Sequence, residues 1–501
     1  MTAATPVIGG ARKPTWTLVI VSLGVILSSL DLFVVNVALP SIGAHLHSGN
    51  LSELSWVLNA YAIVFAALLL PAGRIADRTS RKGGFLLGIA IFLAASLACA
   101  LATSVPMLIA FRVVQAVGAA MLVPTSLGLV LAAYPPQRRA GAVRIWATAG
   151  STAVAVAPLI AGPLVLVSWR WIFLINLPIG IVALVLGSRM LPSVESVKEP
   201  MPDWLGAALL IVAIAALTLG LVQGGSWGWS SGRIVGLLAG AAVVTVAFFW
   251  RSSRHSSPVL ELGLLRNRDF AVATLLTMLI SAALGGFLLS GVLWVQDVWH
   301  WSALRAGLAI APGPALVPLW SFIAGKLIPR YGPRPVVMAG SIAFGAALGW
   351  WAISMTVHPD YVSGMLGGMA LTGVGIGLTV PTLFGVAAST LPPQRFATGA
   401  GAVNMIRQIG ITVGVAVFVA VLGTPTTDAG ELSAFRHGWI AIAGISLACA
   451  LTAVLLRRPR PAAARPAPAA EARTAVAAAP AAQQSPVEHG RVADVEPEPT
   501  G

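Results

Sequence analysis

A single carboxylate stands well inside an apolar run. Asp31 lies within residues 17–40, the first long hydrophobic segment of the chain. A charge at the centre of a bilayer-spanning helix costs roughly 2.5–3.5 kcal/mol on insertion scales, so acids there usually face a cavity or a partner. Burial disfavours the charged form of a carboxyl group, which lets such an acid take up and release a proton. A second constellation, Arg112-x-x-Gln115-x-x-Gly118, lies inside residues 106–131. Its spacing gathers guanidinium, amide and glycine on one helical face. A buried arginine needs an anionic partner, and Asp31 is the candidate. Proton-dependent charge pairing is the chemistry these residue types support. A fixed hydrogen-bonded pair that only packs helices is the alternative. Asn36, five residues after Asp31, falls on another face and reads as a packing contact or a cavity residue. Asn59, Gln115, Trp294, Gln296, Arg407 and Gln408 are the remaining candidates to line a cavity, Arg407 being close enough to a helix end to snorkel.

These side chains need a membrane around them. Of 501 residues, 57% are hydrophobic and only 10% charged, against roughly 25% charged in soluble domains. Mean hydropathy is +0.87. That combination describes a polytopic membrane protein. The first apolar run is too long for a signal-peptide core and reads as an uncleaved span. Fourteen apolar segments are long enough to cross a bilayer as helices, the last at about 437–456. The net charge of +14 is not a nucleic-acid footprint, because its placement is one-sided. With the N-terminus inside, 25 of the 31 lysines and arginines fall in cytoplasmic loops and tails, and 4 fall outside. Arg112 and Arg407 are the other two. This positive-inside pattern places both termini in the cytoplasm. Tryptophan pairs at 169/171, 227/229 and 299/301 fall at the opposite ends, as an interfacial belt requires.

The chain repeats itself. Gly73-Arg74-Ile75-Ala76-Asp77-Arg78-Thr79-Ser80-Arg81-Lys82 has an echo 252 positions later in Gly325–Arg334. Pro135-Pro136-Gln137-Arg138 recurs 257 positions later at Pro392–Arg395. Both offsets equal eight spans. The economical arrangement is an all-α membrane protein with a six-helix half at 17–190, an inserted helix pair at 203–251 and a second half at 269–456. Residues 1–16 read as a cytoplasmic N-terminus and 457–501, rich in Pro and Ala, as a disordered cytoplasmic tail. Span 5 carries Ala153, Ala157, Pro158, Ala161 and Gly162, a seam of small residues for close helix contact. Gly73, Asp77, Arg78, Arg81 and Lys82 form a charged hinge able to latch helix ends. Cys99 and Cys449 sit in apolar runs, so no disulfide framework is implied. No phosphate-binding Gly-Lys-Ser/Thr loop and no metal-ligand spacing among the histidines occurs, so neither an ATPase nor a resident metal is indicated.

These motifs resemble the major facilitator superfamily, and within it the fourteen-helix drug:proton antiporters. The 73–82 hinge matches the signature loop G-x-x-x-D-R-x-x-R-[KR]. Arg112, Gln115 and Gly118 match the fourth-span pattern R-x-x-Q-x-x-G. Asp31 occupies the acid position of the first-span pattern that continues to Asn36-Val37-Ala38-Leu39-Pro40, and Asn404-x-x-Arg407-Gln408-x-Gly410 also fits. The antiporter pattern of span 5 is kept at Pro158 and Gly162, with alanine at 153, 157 and 161 where the family has glycine. The resemblance implies a monomeric, multi-pass inner-membrane exporter with no cofactor, coupled to protons. Its substrate would be a small lipophilic drug or antibiotic, taken up in a cavity lined by spans 1, 2, 4, 5, 9 and 13. A carrier for one metabolite, or a non-transporting membrane sensor or scaffold, are the alternatives.

Overall fold

A bilayer core offers backbone amides no water, so a spanning segment must satisfy its hydrogen bonds within itself. The computed structural model describes residues 14–48, 51–193, 201–391, 396–423 and 428–456, and these are helical almost throughout. The first half contains α1 (Pro14–His45), α2 (Leu51–Arg78), α3 (Arg81–Ala100), α4 (Val105–Ala133), α5 (Pro136–Val167) and α6 (Trp171–Met190). The inserted pair is α7 (Trp204–Trp227) and α8 (Gly232–Arg254). The second half contains α9 (Arg268–Val298), α10 (Ala303–Tyr331), α11 (Pro333–Ser354), α12 (Tyr361–Ser389), α13 (Phe396–Leu422) and α14 (Asp428–Thr452). Among the described residues, thirteen of these are long and apolar enough to cross a membrane. The 32-residue α5 stands between two of them and has a shorter apolar stretch, Val156–Val167. The expected tail, 457–501, lies outside the described residues.

Boundaries follow local chemistry. Ser80, Ser104, Asp203, Ser231 and Ser302 cap α3, α4, α7, α8 and α10 by accepting a first-turn amide, which satisfies a donor that the helix cannot. Gly332, at φ +83°, ends α10, and Pro333 begins α11. The last helix starts nine residues before its apolar segment, because the polar stretch after Asp428 continues the helix.

Helix pairing repeats with the eight-helix shift. Contacts α1–α4, α1–α5, α1–α6, α2–α4, α3–α4 and α3–α6 reappear as α9–α12, α9–α13, α9–α14, α10–α12, α11–α12 and α11–α14. The halves meet along two seams, α2–α13 and α5–α10, which the shift exchanges for one another. In the α5–α10 seam the small residues bring backbones together. Ala157 and Ala161 are fully buried, and a side chain on Gly162 would stand 2.6 Å from the Leu304 Cα. A side chain on Gly307 would strike the Pro158 carbonyl.

The inserted pair lies on the other seam. α7 packs against both α2 and α13. Ser52 Oγ donates to the Val222 carbonyl at 3.3 Å, tying one end of α2 to α7. At the basic end, Asp203 caps α7 and accepts from Arg251 Nε of α8 at 2.7 Å.

Gly162→Leu tests the seam. It is expected to lower the melting temperature in detergent well below that of Gly236→Leu, because nothing lies within 4 Å of a side chain at Gly236. Equal melting of the two variants would contradict the close approach.

Candidate functional site

Asp31 sits at the centre of a closed polar cluster in the first half. Arg112 Nη1 of α4 forms an ion pair with Asp31 Oδ2, and both side chains are shut off from solvent. Arg112 Nη1 also donates to Gln115 Oε1 at 2.6 Å. Gln115 Nε2 donates to Asp31 Oδ1 at 2.9 Å and to Ser96 Oγ at 2.8 Å. Asn176 Nδ2 of α6 donates to the same Asp31 oxygen at 3.0 Å. Arg112 Nε donates to the Val57 carbonyl of α2 at 3.1 Å, and its guanidinium lies 4.0 Å from the centre of the Tyr61 ring. The i, i+3 spacing of Arg112 and Gln115 lets both reach one carboxylate. Five helices thus converge on one acid, and a buried charge is tolerable only with this much compensation.

Ser96, Asn176 and Tyr61 were not evident from the sequence. A lone serine in α3 or asparagine at the start of α6 carries no motif. Their contribution comes from tertiary packing around Asp31.

The cavity candidates separate into three environments. Asn36 and Asn59 line a pocket of about 20 Å³ between the halves, with Phe33, Leu288, Thr412 and Val415 among its walls. Its lining comes from α1, α2, α9 and α13. The expected contributions of spans 4 and 5 are absent from this lining. α4 turns its polar face to Asp31, and α5 turns its small residues to α10. Gln115 accordingly belongs to the ion-pair cluster rather than to the pocket. Trp294 is buried in an aromatic cluster, with ring centres 5.0 Å from Trp439 and 5.1 Å from Phe435. Gln296 Nε2 donates across the halves to the Val37 carbonyl at 2.9 Å. Gln408 is buried, and neither its Oε1 nor Arg407 Nε has a hydrogen-bond partner among the described residues. A larger cavity of about 760 Å³ opens at the end carrying residues 43–54, and its wall includes Asp297, Glu431 and His47.

The hinge places its cations on three separate elements. Arg81 Nη1 donates to the Gly128 carbonyl of α4 at 3.3 Å, and Lys82 Nζ to the Ser188 carbonyl of α6 at 2.8 Å. Gly73 lies against Pro124. Arg78 is exposed, and the Asp77 side chain lies outside the described residues. Arg74, part of the echoed stretch, has no evident target in the sequence. It reaches the segment that leads from the inserted pair into α9, bonding Ser257 Oγ at 2.6 Å, the Pro258 carbonyl at 2.8 Å and Glu261 at 3.3 Å. No group of three His, Cys, Asp or Glu that could hold a metal occurs among the described residues.

Known proteins share this pattern. The family model of the Major Facilitator Superfamily matches residues 21–415. The chain is 34% identical over 415 residues to the multidrug resistance protein Stp of Mycobacterium tuberculosis, covering 82% of this chain and 76% of that one. It is 33% identical over 413 residues to a methylenomycin A resistance protein of Bacillus subtilis, covering 82% and 88%. It is 30% identical over 429 residues to the tetracenomycin C resistance and export protein of Streptomyces glaucescens, covering 85% and 79%. Among solved structures, a proton-dependent oligopeptide transporter superposes with a TM-score of 0.63 at 15% identity, over 88% of this chain and 98% of that one. A bacterial homologue of the lysosomal transporter Spinster, in an inward-facing conformation, gives 0.62 at 17%, over 91% and 100%. At such identities these two report the fold alone.

Arg112→Ala leaves the Asp31 carboxylate buried without its cation and is expected to destabilise the protein by roughly 3–5 kcal/mol. Asp31→Asn combined with Arg112→Gln, which removes both charges, is expected to recover much of that loss. Thermal unfolding in detergent reads both. A double variant no more stable than Arg112→Ala would contradict a mutually compensating pair.

Proposed function

The chain belongs to the major facilitator superfamily as a transporter, and we propose that it exports lipophilic drugs or antibiotics from the cytoplasm in exchange for protons. The observation that carries this reading is the enclosed Asp31–Arg112 pair, joined through α2 to the pocket between the halves. The named relatives are resistance and export proteins, which supports the direction of transport and the substrate class. The distribution of basic residues supports an inner-membrane orientation with both termini in the cytoplasm. A monomer in lipid holds every element the cycle needs.

A proton arriving from outside neutralises Asp31. The acid then no longer balances Arg112, whose charge is left buried. That imbalance is worth a few kcal/mol, on the order of the roughly 3–5 kcal/mol lost when one partner of a buried pair is removed. About 5.5 kcal/mol takes a two-state equilibrium from 1:99 to 99:1, so one pair supplies much of a conformational switch. Arg112 grips α2 through the Val57 carbonyl and the Tyr61 ring. Its release frees α2, and with it one wall of the pocket and one side of the α2–α13 seam. The halves rock about the two seams, and the substrate leaves to the outside. Deprotonation toward the cytoplasm restores the pair. Coupling requires proton and drug to favour different states.

The hinge fits the same cycle. Arg81 and Lys82 hold the beginning of α3 to α4 and α6, so the first half moves as a unit. Arg74 fastens that unit to the segment preceding α9. Its ion pair crosses between parts that must separate or slide as the halves rock.

Everted vesicles containing the wild type are expected to release protons from an acidified lumen when a transported compound is added. Asp31→Asn is expected to abolish this release while the protein remains in the membrane. Release undiminished in both Asp31→Asn and Arg112→Ala would remove these residues from coupling. A carrier for one metabolite would respond to one compound of a chemically varied panel and to no other.

A further inference from the structure

Resting on the export reading above, we propose that Asn59 is a specificity-determining residue. It selects uncharged substrates that present an N–H and a C=O side by side on an apolar frame: lactams, imides and carboxamides. Asn59 is only 1% exposed, and it lines the pocket between the halves. Neither its Nδ2 nor its Oδ1 has a hydrogen-bond partner among the described residues. Buried amides are nearly always paired, and leaving a group unpaired is costly. The two other polar residues of the wall are already engaged. Asn36 Nδ2 donates to the Leu32 carbonyl at 3.3 Å, and the Thr412 hydroxyl donates to the Gln408 carbonyl at 3.1 Å. Asn59 is therefore the wall's polar side chain with both functions uncommitted. One donor and one acceptor project from a single planar group, and an adjacent N–H and C=O complement them with two parallel hydrogen bonds.

The charge of the surroundings sets the other half of the selection. Among the described residues, the lining contains no ionisable side chain. Asp31 and Arg112 are committed to each other, and Arg112 takes the other side of α2, at Val57 and Tyr61, while Leu58, Asn59 and Ala62 turn to the pocket. A cation entering here would lose its hydration without gaining a counter-charge. A neutral ring loses little, because Phe33, Leu288 and Val415 offer apolar contact. At about 20 Å³ the pocket is too small for a ring, so a ring enters as the halves part along α2–α13. Substrate on one side of α2 and the proton-responsive pair on the other then bias the same helix.

Three tricycles of nearly equal size test this: phenanthridin-6(5H)-one, a neutral lactam; phenanthridine, which lacks the N–H and C=O pair; and the 5-methylphenanthridinium cation. Binding to the purified full chain is measured by equilibrium dialysis, and transport in proteoliposomes. The wild type is expected to bind the lactam about tenfold more tightly than the other two, the worth of two modest hydrogen bonds. Asn59→Leu is expected to bring the lactam down to the level of phenanthridine and leave phenanthridine unchanged. Its melting temperature should be equal or higher, since an unpaired buried amide has been removed. A lactam preference that survives in Asn59→Leu overturns the proposal. So does equal binding of the three compounds by the wild type, absence of binding included. A preference lost in Asn59→Leu but accompanied by no transport of any compound in either protein upholds the recognition role and tells against export instead.

Discussion

The ion pair between Asp31 and Arg112 constrains everything around it. Two opposite charges removed from water are stable only if geometry and hydrogen bonding return what desolvation takes away. Here that compensation is drawn from α2, α3, α4 and α6 at once. In the proposed cycle the first half is keyed to the ionisation of this one acid. A hydrocarbon contact would hold the same helices together without making them responsive. The cost of burying the pair is what makes protonation consequential, because the neutral acid leaves Arg112 with nothing to balance it.

The second half is built differently. By the 252-position offset Asp31 corresponds to Ala283, and no acid occupies the middle of α9. There the helices meet backbone to backbone: Gly285 lies against the Ile411 carbonyl, Gly410 against that of Met278 and Gly414 against that of Ala282. Such contacts fix geometry and carry no charge to titrate. The duplicated architecture therefore places its buried ion pair in the first half and close glycine contacts in the second. α2 stands between the Asp31–Arg112 pair and the pocket between the halves, and it forms a seam with α13. The inserted pair leans on that seam, which gives α7 and α8 a structural position that their apolar sequences alone did not disclose.

Much of this could be read from the chain. Apolar length located the spans, because a bilayer imposes its thickness and demands helices. The two echoes marked the eight-helix shift that the helix contacts repeat. Asp31 and Arg112 were conspicuous since charge is rare in a span, and a buried cation must find an anion. What surrounds them was not legible. Ser96, Asn176 and Tyr61 are ordinary residues of helices whose rotation about their axes is set by packing, and no local pattern encodes that rotation. The same holds for Gln115: its helical face was evident, but not whether that face turned to the pocket or to Asp31. Arg74 had an evident charge and no evident target, because Glu261 lies 187 residues away beyond the inserted pair.

We propose that substrate and proton compete through Asp31. The most direct measurement is the proton count on binding. A transported compound is added to purified protein in weakly buffered detergent at a series of starting pH values, and the pH change is followed. The account predicts release of about one proton per bound molecule by the wild type and none by Asp31→Asn, with binding retained. Binding without proton release by the wild type, or equal release by both proteins, would contradict it.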